Sequence, residues 1–74
     1  MQKETLKTKI MKAIKQQILK GEVFETFTND GDEIRVFHHT RWGFDTFVLE
    51  LNGEIIVSAK RFNTVSVKLN KLTN

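Results

Sequence analysis

Residues 23–62 read VFETFTNDGDEIRVFHHTRWGFDTFVLELNGEIIVSAKRF, and they decide the fold. β-branched and aromatic residues dominate and turn residues punctuate the stretch, which is strand chemistry. Four strands are expected, over 23–28, 33–40, 44–51 and 54–62. Asn29-Asp30-Gly31-Asp32 and Asn52-Gly53 form the hairpin turns, and Arg41-Trp42-Gly43 a bend. A one-residue slip would reverse every side chain, so register is read by asking which turn gathers apolar residues on one face. A two-residue Asp30-Gly31 loop pairs Phe27 with Ile34 and Glu25 with Val36. A three-residue Leu51–Gly53 loop pairs Leu49 with Ile55 and Phe47 with Val57, whereas a two-residue Asn52-Gly53 loop would send Leu49 and Ile55 to opposite faces. The core-facing set is then Val23, Phe27, Ile34, Val36, Phe47, Leu49, Ile55, Val57 and Ala59.

The flanks complete the domain. Leu6, Ile10, Ala13, Ile14 and Ile18 recur at helical spacing with Met11 at the stripe's edge, and Lys9, Lys12, Lys15 and Lys20 fall on the opposite arc. Gly21 suits a left-handed cap. The stripe has the size to cover one face of the sheet. After the fourth strand, Val65, Val67 and Leu69 alternate as a fifth strand would, and the β-branched start favours that reading. A short helix capped by Thr64, with Val65, Leu69 and Leu72 on one face, is the alternative. The expected fold is α+β: one domain, 1–74, with an N-terminal amphipathic helix on one face of a four- to five-stranded antiparallel meander.

Composition narrows function. The 74 residues contain no Cys, so neither disulfides nor thiolate zinc sites are expected. No apolar stretch approaches the ~20 residues of a membrane span, and no secretory signal is visible. A complete cytoplasmic protein that binds no membrane is therefore expected. The net charge of +3 is unevenly spread. Residues 1–20 hold six lysines and one acid, residues 21–54 two arginines and eight acids, and residues 55–74 four basic residues and no acid. Partners are sought at the two ends.

No Gly-rich phosphate loop, serine-nucleophile motif or HExxH is present, so no enzyme and no cofactor are expected. His38 and His39 are neighbours on a strand and point to opposite faces, which argues against a shared metal ion; His38 belongs at the edge of the core. Asp30, Asp32 and Glu33 favour turn formation rather than a calcium cage. The expected outward face carries Phe24, Arg35, Phe37, His39, Val48, Ile56 and Lys60, with Lys68 if the fifth strand forms. An apolar patch of Phe24, Phe37, Val48 and Ile56 is one a monomer rarely exposes, so a protein partner, another chain or a second copy, comes first. Rings among cations also suit DNA or RNA, aided by Lys9, Lys12 and Lys15 on the helix. Arg41 and Trp42 form a recognition tip, or Trp42 folds back on the sheet's end.

The stretch Val36 to Leu72 resembles small phage-encoded domains of unknown function. Its aromatic-rich strands and the phrase Ser58-Ala59-Lys60-Arg61-Phe62-Asn63-Thr64, followed by Leu69-Asn70-Lys71, carry the likeness. That resemblance implies a short closing helix, and a small accessory protein that binds a host or defence protein, or nucleic acid.

Overall fold

The computed structural model describes residues 6–41 and 44–73. Helix α1 (Leu6–Leu19) is followed by strands β1 (Phe24–Phe27), β2 (Glu33–Arg41), β3 (Phe44–Leu51) and β4 (Glu54–Ala59), and helix α2 (Phe62–Thr73) closes the chain. The sheet is an antiparallel meander in the order β1-β2-β3-β4.

The C-terminal segment is helical, not a fifth strand. The helix begins at Phe62, so Thr64 sits inside its first turn rather than at its N-cap. Phe62, Val65 and Leu69 are buried, and Leu72 packs beside them. Sheet width explains the choice. Four strands spaced ~4.8 Å apart are wider than one helix of ~10 Å diameter. Helix α1 therefore covers β1 and β2, and α2 covers β3 and β4. A fifth strand would have widened the sheet and left Leu49 and Phe47 without a cover.

Helix α1 ends as its glycine implies. Gly21 has φ 95°. Its N–H donates to Ile18 O at 3.0 Å, and Glu22 N–H donates to Gln17 O at 3.3 Å, which together make a Schellman motif. The helix's buried stripe is narrower than its sequence suggests. Ile14 and Ile18 are buried and Met11 is half-buried, but Ala13 is exposed and Ile10 is 47% exposed.

Both hairpins depart from the expected register. In the first, Thr28 N–H donates to Asp32 O at 2.9 Å and Gly31 N–H to Thr28 O at 3.0 Å, closing a three-residue loop with Gly31 at φ 90°. The pairing moves by one residue, to Phe24 with Val36 and Thr26 with Ile34. Phe24 therefore turns inward and packs against the core, while Phe27 is 62% and Val23 37% exposed. The slip has a physical reason. The expected register aligned Glu25 with Val36 on the core face, where an unpaired carboxylate is costly. The observed one sets Glu25 opposite Arg35 on the outer face.

In the second hairpin Asn52 (φ 52°) and Gly53 (φ 85°) form a two-residue turn of the I′ kind, and Leu51 pairs with Glu54. A bulge then intervenes: Glu50 pairs with Ile55 but Leu49 with Val57, so Ile56 is the extra residue. Downstream of it Val57 and Ala59 face inward opposite Leu49 and Phe47. Ile55, expected in the core, faces outward and is 57% exposed. The core is thus Ile14 and Ile18 of α1, Ile34, Val36, Phe47 and Leu49 of the sheet, and Phe62, Val65 and Leu69 of α2. Each such aliphatic residue contributes about 1.5–3 kcal/mol of burial.

Candidate functional site

Both helices lie on one side of the sheet, so its other face is uncovered among the described residues. The register builds that face in rows across the strands. One row is Glu25, Arg35, Glu50 and Ile55; the next is Phe37, Val48 and Ser58; a third pairs His39 with Thr46. Ile56 is added by the bulge, since Val57 beside it points inward. Of the residues expected on this face, Arg35, Phe37, His39, Val48, Ile56 and Lys60 belong to it or to its β4 margin.

The face differs from expectation in composition. Phe24 has left it for the core, and Phe27 has joined it opposite Glu33. Val48 lies at its centre but is only 1% exposed, because its neighbours cover it. What a partner would touch is Phe37, with Ile55 and Ile56 on the β4 edge. Phe37 and His39 hold their rings 6.2 Å apart. Charges surround this apolar strip. Arg35 Nε is 3.6 Å from Glu25 Oε2, an ion pair too long for a hydrogen bond, and both side chains are substantially exposed. Such a pair adds little stability, so its residues remain available to a partner.

The adjacent histidines diverge as strand alternation requires. His39 is outward, whereas His38 is on the core side, with Nε2 3.2 Å from Asp45 Oδ1 and its ring 4.9 Å from that of Phe47. Asp45 and Phe47 flank it on β3 because the register pairs Phe47 with His38 and Asp45 with Thr40. No group of three or more His, Cys, Asp or Glu that could hold a metal occurs among the described residues. No described helix is long and apolar enough to cross a membrane. Trp42, and the side chain of Arg41, lie outside the described residues.

The basic residues gather in the other layer. Lys9, Lys12, Lys15 and Lys20 are exposed along α1 and its end, and Lys60, Arg61 and Lys71 are exposed at and along α2. Lys68, placed on the sheet by the fifth-strand reading, is instead half-buried on α2, across the molecule from the outward face.

Two candidate residues were missed by reading the sequence. Ile55 and Phe27 were assigned to the core by their apolar character, and both are exposed. The signal for Ile55 was Asn52-Gly53 itself, whose two positive φ angles fix a two-residue turn. The signal for Phe27 was Glu25, which shares its face of β1 and would have entered the core with it. Comparisons with protein-family models, with curated proteins and with solved structures found no match to this chain.

Proposed function

We propose that this is a small accessory binding protein, of the kind phages encode, that acts by occupying the surface of a host or defence protein with the outward face of its sheet. The observation that carries the reading is the apolar edge made by Ile55 and Ile56, 57% and 38% exposed, next to Phe37. The turn sends Ile55 outward and the bulge adds Ile56 beside it while returning Val57 to the core, so two consecutive isoleucines meet solvent at a sheet edge, where bulges recur next to functional sites. Arg35, Glu25 and Glu50 supply a polar rim of the composition protein interfaces use. Glu25, Glu33 and Glu50 on the same face oppose a polyanion, which favours protein over DNA or RNA as its partner. A second copy of the chain would meet the same patch.

The test substitutes Phe37→Glu together with Ile56→Glu. Wild type and variant are each used as bait in the native cell, with cross-linking to map the contacts, and each is weighed by analytical ultracentrifugation. The expected result is loss of the cross-linked partner, or of the dimer, in the variant alone. Identical partners and identical mass would remove this reading.

A further inference from the structure

The chain's two ends are basic and its middle is acidic, and the fold converts that linear pattern into opposed layers. Residues 6–20 hold five lysines, and residues 60–73 hold three lysines and Arg61, without one acid in either segment. Of the eight acids of residues 21–54, seven lie on the strands and the loops between them, and Glu22 sits in the turn that ends α1. Because α1 and α2 pack on the same face of the sheet, the lysines carried by the two helices share one layer, with Lys60 and Arg61 in the bend that leads from β4 into α2.

We infer that the helical layer is a second binding surface, separate from the sheet face, and that it takes the phosphate backbone of duplex nucleic acid. Lys9, Lys12 and Lys15 are exposed and step along α1 at three-residue intervals. Six residues at 1.5 Å rise set them along about 9 Å, a charge density that suits a polymer carrying one phosphate per ~1.7 Å of duplex axis. Lys12 and Lys15 also border a groove of about 240 Å³ between the helices, with Asn63 and Ser66 opposite and Met11 and Phe62 as its floor. Polar side chains of these kinds make most phosphate contacts in protein–DNA interfaces.

The layer suits a duplex better than the other polyanions. Phe62 is the one aromatic residue of either helix and is 8% exposed, so unpaired bases have nothing to stack on. Ile14, Ile18, Phe62, Val65 and Leu69 are buried against the sheet, and the apolar residues left exposed on α1, Ile10 and Leu19, stand nine residues and so about half a turn of the wheel apart, which leaves no continuous apolar face on that helix to enter a lipid surface. Recognition would be independent of sequence, since phosphates carry the affinity and no side chain here is placed to read bases.

Fluorescence anisotropy with a labelled 24-base-pair DNA duplex, the same duplex in RNA, and one single strand tests this between about 50 and 200 mM salt. Vesicles of phosphatidylserine and phosphatidylcholine form the fourth arm. Duplex binding is expected to weaken steeply with salt. A Lys9→Gln, Lys12→Gln, Lys15→Gln variant should flatten the log K against log salt slope by about 2 to 3, near 0.9 for each lost phosphate contact. The corresponding triple Lys→Arg variant should retain the wild-type slope, and far-UV circular dichroism would verify that each variant is folded. Ile56→Glu should leave duplex binding unchanged, which keeps this inference separable from the sheet-face reading. Absence of duplex binding at low salt, a Gln variant with the wild-type slope, or stronger binding to vesicles or single strands than to duplex would each overturn it.

Discussion

The two hairpins carry similar turn residues, Asn29-Asp30-Gly31 and Asn52-Gly53, yet they close differently. The first uses three loop residues and a side chain: Thr28 Oγ1 accepts from the N–H groups of Asp30 at 3.2 Å and Asp32 at 3.0 Å. The second uses two residues, both at positive φ, and then a bulge. The consequences differ in kind. In the first hairpin the loop choice moves the pairing by a single residue, so all of β1 turns over and Phe24 exchanges places with Phe27. In the second the bulge confines the reversal to Ile55, and Val57 and Ala59 recover the inward parity. A side-chain-closed loop thus decides which residues enter the core, whereas a backbone-closed turn followed by a bulge decides which residues are presented outside it.

Truncating the exchanged pair should give the largest effect. Phe24→Ala removes a ring packed against the core and should cost about 2–3 kcal/mol, somewhat less than a fully buried phenylalanine. Phe27→Ala removes an exposed ring and should stay within about 0.5 kcal/mol. Urea unfolding of both variants measures the difference directly. The reverse ranking would mean that β1 pairs through Phe27 and Ile34, with Glu25 on the core face.

The same contrast explains what could be read in the sequence. Helix α1, its Gly21 cap and the four-strand meander were legible because periodicity and turn residues are local signals. Ile34, Val36, Phe47 and Leu49 were placed correctly because they alternate on the two central strands, where any neighbouring register keeps them together. The edges were not legible. A three-residue loop in place of two at Asn29 depends on one hydroxyl, and the bulge at Ile56 has no local signature. The change of the C-terminus from strand to helix depends on how wide a face remains to be covered, which is a property of the whole sheet. For the candidate site, Arg35, Phe37 and His39 were legible from alternation, whereas Ile56 reaches the face through the bulge, and Phe24 was lost and Ile55 gained through register. The joining of two basic ends in one layer followed from α2 being a helix.

A second test concerns Asn52, which ties the hairpins together. Its Oδ1 accepts from Glu33 N–H at 2.9 Å, its Nδ2 donates to Asp32 Oδ1 at 3.3 Å, and its own N–H donates to Glu33 O at 2.8 Å. Asn52→Ala keeps the backbone donor but forces alanine to φ 52° and removes the amide, for about 2 kcal/mol in total. Asn52→Gly relieves the backbone strain and should cost about half as much, from the side-chain bonds alone. Thermal unfolding of the two variants separates these contributions. Equal losses would show that the side-chain link between the turns, rather than the left-handed backbone, holds the second hairpin.

The smallest effect is expected at Thr28, where the comparison is most delicate. Thr28→Val preserves shape and β-branching but deletes the oxygen that collects two backbone N–H groups. Both donors lie at a half-exposed turn where water replaces the lost acceptor, so the loss should be about 1 kcal/mol rather than the larger penalty of a buried orphan. Thr28→Ser, which keeps the oxygen, should unfold close to wild type. If the valine variant also unfolds at the wild-type urea midpoint, the hydroxyl does not select the loop. The three-residue turn would then rest on Gly31 at φ 90° and on keeping Glu25 out of the core. In that event Gly31→Ala, which meets no atom within 4 Å and so probes the backbone alone, should destabilise the first hairpin by about 1–2 kcal/mol.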